Sequence, residues 1–284
     1  MKISEADIFI LLGILIISLI VLPHGPPQAS GQISTDKTVV NFGGDWGCHK
    51  SAVNNVKLIS DKKEPIFGAG DYGYGCDENT LKSMWDPIPK NYRVGVPGNH
   101  ECEKGQNTGW AAATFAFVDC KVNGQSYKIG HVGIIGINDY SNYKVDSKQY
   151  NKVLTASAKF AADPNIYWIV YVFHEPTHGL GCTGGHCHKD KTDFAKIYDP
   201  IIKKYGGLVV EAHTHLTGFG LIDGIAYAQC AGGGQGGTAL NGLKGFAYGS
   251  SSMGYCHATF DKNRALFEHI SSNGPKLGDH LFTK

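Results

Sequence analysis

The tetrapeptide Gly98-Asn99-His100-Glu101 follows Tyr92-Arg93-Val94-Gly95-Val96-Pro97, a run that reads as a short strand delivering a loop. Asn99 offers a neutral amide oxygen and His100 an imidazole that exchanges protons near neutrality. Four residues are a weak signal alone, but the arrangement recurs along the chain. Asp45 trails the strand-like run Thr38–Phe42, and Asp71 and Tyr74 trail Pro65–Ala69. His174 ends Ile166–Phe173, and His213 and His215 follow Leu208–Ala212. Hard oxygen and imidazole donors repeated at strand ends read as a two-metal hydrolytic site.

Helical spacing appears between these strands. Ala52, Val53, Val56 and Ile59 share one face, a shorter piece covers Leu81–Trp85, and Trp110–Phe117 forms another candidate. The clearest helix is Ser147–Ala161, with Tyr150, Val153, Leu154, Ala158 and Ala161 at helical spacing. Phe194, Ile197, Tyr198, Ile201 and Ile202 mark one more. Tyr127–Ile137 reads as a strand pair or one long strand. Ile166–Phe173 has the composition of a strand buried on both faces. Beyond Leu221 the chain reads mostly as β, with a glycine-rich turn at Gly232–Gly237. Alternating strands and helices predict an α/β fold with a largely parallel sheet region, where ligands bind outside the carboxyl ends of the strands.

A chain of 284 residues, 42% hydrophobic, can bury one sizeable core, so a single large domain over residues 32–284 is expected. Residues 1–31 read as a targeting or anchoring segment plus linker. The apolar run Ile8–Leu22, ended by Pro23, has the length of a signal-peptide core and is short for a full membrane span. Export, as a secreted protein or one anchored at the outer membrane face through residues 8–22, is expected. Eight cysteines fit that compartment, and bridges bracing the loops near Cys48, Cys76 and Cys102 are expected, with the pairing open. A formal charge of +1 gives no basis for nucleic acid as a bulk electrostatic partner. Arg93 and Arg264 are the only arginines, so anion binding must rest on metals, histidine or lysine.

Gly44-Asp45, Gly70-Asp71-Tyr72-Gly73-Tyr74, Gly98-Asn99-His100-Glu101, His174 and His213-Thr214-His215 together resemble the five blocks of the calcineurin-like metallophosphoesterases, and more narrowly those of the purple acid phosphatases. The resemblance implies a β-sandwich flanked by helices, with the ligands on loops at strand carboxyl ends. It implies Asp45, Tyr74 and His215 around a ferric ion, with Asn99, His174 and His213 around a divalent iron, zinc or manganese. Asp71 would bridge the two ions. His100 would contact the phosphate and protonate the leaving oxygen of a small phosphorylated substrate, a monoester attacked by metal-bound hydroxide on the acid side of neutrality. Most of the wider superfamily carries a histidine where this chain has Gly47. Tyr74, a hard anionic donor once ionised, fills that gap, with Tyr72 as a nearby competitor. Ala212 replaces the family's glycine before the histidine pair.

Other readings carry less weight. A phosphodiesterase or nucleotidase uses the same core. His174-Glu175-Pro176-Thr177-His178 matches the HExxH pattern of zinc proteases, but that pattern needs a helix, and an interior proline costs it about 3 kcal/mol. Cys182-Thr183-Gly184-Gly185-His186-Cys187-His188 can be read as a zinc cluster or as a disulfide-closed loop. In the second case His178 and His186 are candidate substrate contacts. A metal-binding module without turnover would have no use for His100.

Overall fold

Two β-sheets pack face to face with helices covering both outer sides, and the order in which strands enter them explains where the polar loops gather. The computed structural model describes residues 37–284 apart from Phe117 and His186. The segment Ile8–Leu22, its linker and the expected boundary after residue 31 therefore lie outside the described residues, as does the candidate contact His186.

In chain order, β1 (Thr38–Gly43), α1 (Lys50–Lys62), β2 (Ile66–Ala69), α2 (Glu78–Trp85) and β3 (Arg93–Val96) come first. Two short helices follow, α3 (Asn99–Cys102) and α4 (Thr108–Thr114), then the hairpin β4 (Gln125–Ile129) and β5 (Val132–Gly136). Next are α5 (Lys148–Ala162), β6 (Trp168–Val172), β7 (Cys182–Gly184), α6 (Thr192–Lys204) and β8 (Leu208–Glu211). The remainder is β9 (Thr217–Ile222), β10 (Ile225–Cys230), β11 (Thr238–Leu240), β12 (Phe246–Ser250), β13 (Gly254–Phe260), β14 (Arg264–Ser271) and β15 (Lys276–Thr283).

The first sheet has the order β15-β14-β13-β1-β2-β3, and the second β12-β9-β10-β8-β6-β5-β4. β1, β2 and β3 run parallel, with Asn41 opposite Ile66 and Ile66 opposite Arg93. β5, β6, β8 and β10 run parallel in the other sheet. The carboxyl ends of β1, β2, β3, β6 and β8 are the points where the five polar blocks begin. The β-rich tail is no appendage: β13 returns to pair antiparallel with β1, placing Ala258 opposite Val40.

β6 shows how sequence builds the layers. Every residue in it is buried. Trp168, Val170 and Val172 join Val40, Phe42, Phe67 and Phe267 between the sheets. Ile169 and Tyr171 face the other way, into the layer with Val153 and Phe160 of α5 and Phe194 and Tyr198 of α6. Side chains alternate across a strand, so a strand covered on both sides has no polar position.

Two helices sit rotated from the face their apolar residues predict. In α1, Val53 is 41% exposed while Asn55 is fully buried. The Asn55 amide reaches across to the Gly233 carbonyl at 2.7 Å. In α5, Ser147 caps the first turn by accepting from the Tyr150 amide. Ala158 and Ala161 then face solvent, and the buried stripe is Gln149, Val153, Ser157 and Phe160. Gln149 Oε1 accepts from the Gly124 and Asn138 amides, and its Nε2 donates to the Asn138 carbonyl. Tyr171 donates to Ser157 Oγ. A polar side chain goes inside when hydrogen bonds await it there, even where, as at Asn55 Oδ1, one atom is left without a partner among the described residues, and hydropathy does not register such bonds.

All eight cysteines pair, as Cys48–Cys76, Cys102–Cys120, Cys182–Cys187 and Cys230–Cys256. Cys230 ends β10 and Cys256 lies in β13, so that bridge staples the two sheets together. Four disulfides fit an oxidising, extracytoplasmic compartment. Among the described residues no helix is long and apolar enough to cross a membrane.

His269 in β14 is fully buried, with Nδ1 2.9 Å from the Tyr248 hydroxyl and, among the described residues, no partner for Nε2. Burial pushes its pKa down to about 4. The unfolded chain takes up that proton near pH 6.5, so this contribution to stability is complete above about pH 6.5 and drains away as pH falls toward 4. His269→Gln should flatten the acid limb of stability, recovering on the order of 2–3 kcal/mol at pH 4.5 relative to the difference at pH 7. Urea unfolding at the two pH values checks this, and parallel losses in both proteins would contradict it.

Candidate metal centre

Five of the seven candidate ligands hold left-handed backbone conformations: Asp45 (φ 61°), Asp71 (φ 57°), Tyr74 (φ 46°), His213 (φ 73°) and His215 (φ 59°). Non-glycine residues avoid this region, aspartate and histidine less than tyrosine, and such residues cluster where function compensates for the strain. At the end of a parallel strand a left-handed residue turns the chain sharply. Its side chain then stays over the strand end instead of passing out to solvent.

The side chains so placed meet in two linked groups. In the first, the Tyr74 hydroxyl donates to Asp45 Oδ1 at 2.8 Å and lies 3.1 Å from His215 Nε2. In the second, His174 Nε2 lies 3.0 Å from His213 Nδ1, 3.1 Å from Asn99 Oδ1 and 3.4 Å from Asp71 Oδ2. The ligand atoms of Asp71, His174 and His213 all fall within 4.8 Å of one another, a cluster able to hold a metal ion. Asp45 connects the groups, since its Oδ2 accepts the His213 backbone amide at 2.8 Å. Tyr72, the competitor of Tyr74, is a core aromatic: it is fully buried and donates to the Val96 carbonyl.

The orientation of the imidazoles tests whether a cation fits. His174 Nδ1 donates to the Ala69 carbonyl at 2.7 Å, and His215 Nδ1 donates to the Gly236 carbonyl at 3.0 Å. Each ring is thereby fixed with the Nε2 lone pair turned into the cluster, the arrangement that metal-ligating histidines adopt. Without a cation, lone pairs of Nε2, Asn99 Oδ1 and Asp71 Oδ2 face one another at bonding distance in a buried space. The ionisation state reflects that conflict. Burial, with the neighbouring Asp71 charge adding to it, pushes Asp45 up to about 7. Burial and the charge on His174 push His213 down to about 2. Burial opposes a proton on His174, yet Asp71, Asp45 and Asp139 raise its pKa well above the ordinary value. Two carboxylates, three imidazoles, a phenol and an amide form a donor set suited to hard or borderline ions, and positive charge among them resolves the conflict.

The loops are held from behind. Glu101, 2% exposed, accepts from the Gly98 and Asp71 amides through Oε2 and from the Tyr72 amide through Oε1, all at 2.9 Å. One carboxylate thus clamps the turn after β2 to the turn after β3. The tetrapeptide Gly98-Asn99-His100-Glu101 carries no signal of this role, because nothing in it shows where the Glu101 oxygens point. A Cβ on Gly98 would stand 2.1 Å from Asp71 Oδ1, so only glycine lets these two turns approach. Cys48–Cys76 ties the Asp45 loop to the Tyr74 loop, and Cys102–Cys120 anchors the loop behind His100.

His100 stands beside the cluster. Its amide donates to Asp71 Oδ1 at 2.9 Å, its Nε2 lies 3.9 Å from Asp71 Oδ2, and Tyr74 packs on its ring at 3.9 Å between centroids. His178, a candidate substrate contact, is held elsewhere: Nε2 pairs with Asp199 Oδ2 at 3.0 Å and the ring packs on Tyr227. His188 lies against the centre, its ring 3.9 Å from that of His213. The His186-Cys187-His188 stretch signalled the loop, but spacing alone did not select His188. Cys182 and Cys187 are joined in a disulfide, which removes the zinc-cluster reading. The HExxH reading fails as well, since His174 to His178 lie in an irregular loop and not on a helix.

No family model matches the chain, and no curated protein matches it. Solved structures do. A purple acid phosphatase from yellow lupin (Lupinus luteus) seeds superposes with a TM-score of 0.74 at 16% identity, over 87% of this chain and 54% of that one. The chain therefore spans about half the length of the lupin enzyme. GAP50, described as the anchor in the inner membrane complex of Plasmodium, superposes with a TM-score of 0.62 at 18% identity, over 87% of this chain and 89% of that one. PhoD gives 0.57 at 10% identity, over 87% and 68%. The chain thus shares its fold with these solved structures, the lupin purple acid phosphatase among them.

Glu101→Ala would strand three buried amides, and Gly98→Ala would press on Asp71. Each should therefore empty the centre without unfolding the core. The expected result is loss of at least one metal equivalent per chain by elemental analysis, with the far-ultraviolet circular dichroism unchanged. Full metal content in both variants would contradict the assigned roles.

Proposed function

We propose that the protein is a binuclear metal-dependent phosphatase of the purple acid phosphatase kind, exported, and acting on phosphate monoesters on the acid side of neutrality. The observation that carries the reading is the placement of the Tyr74 hydroxyl between Asp45 Oδ1 and His215 Nε2. Gly47 offers no donor at the position where the wider superfamily has a histidine, and Tyr74 completes that side of the centre. Asp45, Tyr74 and His215 would hold a ferric ion, Asn99, His174 and His213 a divalent iron, zinc or manganese, and Asp71 would bridge. Bound there, the two ions would supply Lewis-acid polarisation of the phosphoryl group and an activated water, the ferric ion doing so at lower pH than a divalent one.

The chain's own groups do the rest. Glu101 and the His100 amide fix Asp71 so that one carboxylate serves both sides. His100 faces the centre with Nε2, the atom from which the ring, once protonated there, would give a proton to the leaving oxygen. Gln106 Oε1, 2.6 Å from His100 Nδ1, keeps the other edge of the ring engaged. His188, packed on His213, borders the centre beside that ring. The oxidising compartment implied by the four disulfides supports export.

The same fold in the Plasmodium anchor makes a non-catalytic scaffold the second reading. Assay of metal-analysed protein against monoester, diester and nucleotide substrates separates the two. Turnover of monoesters with a rate maximum below pH 7 supports the phosphatase, and two bound metals without turnover of any ester would leave the scaffold.

Two variants test the assigned roles. His100→Ala should retain both metals and lose rate by about 10²–10⁴-fold, the usual share of a general acid. The oxidised protein should be violet to pink through phenolate-to-iron charge transfer. Tyr74→Phe should remove that band while Tyr72→Phe leaves it. A colourless, active protein indifferent to Tyr74→Phe would contradict the ferric assignment and leave a metallophosphoesterase loaded with other ions.

A further inference from the structure

The loop behind His100 presents a cation to the centre. Lys104 Nζ lies 2.7 Å from His100 Nε2, while Gln106 Oε1 lies 2.6 Å from Nδ1. An ammonium only donates and an amide oxygen only accepts, so both contacts select one form of the ring, with the proton on Nδ1 and the Nε2 lone pair toward Lys104. His100 Nε2 is itself 3.9 Å from Asp71 Oδ2, so the ammonium stands one imidazole edge away from the bridging carboxylate. The loop that carries it is pinned. The Lys104 amide donates to the Asn99 carbonyl, the Gln106 amide to the His100 carbonyl, and Thr108 Oγ1 to the Glu101 carbonyl, with Cys102–Cys120 alongside.

The two arginines and Lys191 are committed elsewhere. Arg93 is buried beside Asp86, and Arg264 pairs with Asp261. Lys191 is 3.1 Å from Glu175 and 2.9 Å from the Asp139 carbonyl, with the Tyr140 ring beneath it. Among the described residues Lys104 has no carboxylate partner, and its ammonium rests on an imidazole nitrogen instead. A contact of that kind yields readily to an anion.

Resting on the phosphoesterase reading, we propose that Lys104 is the specificity-determining residue of the site, reading the second negative charge of a phosphate monoester dianion and so selecting monoesters over diesters. When a monoester enters, the ammonium leaves Nε2 for a non-bridging phosphoryl oxygen. That exchange also frees Nε2, which carries no proton in the resting form, to take one from solvent and pass it to the leaving oxygen. A diester carries one negative charge and replaces one of those oxygens with an alkoxy group, so it gains less from the same cation.

The test uses the metal-loaded wild-type protein, Lys104→Met and Lys104→Arg, with p-nitrophenyl phosphate and bis(p-nitrophenyl) phosphate as substrates. Metal content and the dissociation constant for inorganic phosphate at pH 7.5 are measured alongside. Lys104→Met should lower monoester kcat/KM about 10- to 100-fold, chiefly through KM, the range of a lost hydrogen bond to a charged group. Phosphate affinity should fall in parallel, the diester should change less than about twofold, and Lys104→Arg should recover most of the loss. Equal losses on both esters, an unchanged monoester, or loss of a metal equivalent in Lys104→Met would overturn the proposal. If wild type turned over neither ester, the phosphatase reading would fall, and unchanged phosphate affinity in Lys104→Met would overturn the Lys104 assignment separately.

Discussion

Asp71 is a carboxylate with nowhere else to go. It is 1% exposed, sits on a left-handed turn, and has His174 on one oxygen and the His100 amide on the other. A buried charge of that kind is costly unless opposite charge surrounds it. Burial works against its ionisation, and the His174 charge outweighs burial to hold its pKa well below the usual carboxylate range. The architecture around it follows from that constraint. Two sheets must meet so that the ends of β2, β3, β6 and β8 bring an amide and two imidazoles to one point. Glu101 must then clamp the backbone on which Asp71 turns.

The sandwich supplies the rigidity that this requires. β1, β2 and β3 end together because they are parallel neighbours in register, and β6 and β8 end opposite them in the second sheet. Cys230–Cys256 joins the sheets, and Cys48–Cys76 joins the first two polar loops. Closing loops of these lengths is worth about 3–4 kcal/mol each in the chain-entropy picture, before any strain. An aromatic cluster of Trp46, Tyr72, Trp85 and Phe115 fills the space between the Asp45 and Asp71 turns and the outer helices. The strained turns are thus supported on covalent bonds in front and close packing behind.

Much of this was legible in the sequence, for stated reasons. Residues 166–173 have no polar position because that strand is covered on both faces, and the hydrophobic pattern reports such coverage directly. The polar blocks stand out because each ends an apolar run. What escaped reading depended on contacts distant in sequence. Asn55 and Gln149 took buried positions and turned α1 and α5 away from the faces marked by Val53, Ala158 and Ala161, since their amides bond to Gly233, Gly124 and Asn138. Glu101 looked like any motif glutamate until its three amide partners were placed. His188, and not His178, packs on a candidate ligand, and the disulfide between Cys182 and Cys187 reshapes that loop beyond what spacing describes.

The central claim is that one buried carboxylate joins two different metal sites assembled from five strand ends. Anomalous-difference crystallography of the oxidised protein, with data on both sides of the iron absorption edge, tests it directly. The account predicts two peaks flanking Asp71. Iron would lie among Asp45, Tyr74 and His215, and a second ion among Asn99, His174 and His213. A single ion, or two ions with no iron signal on the Tyr74 side, would contradict it.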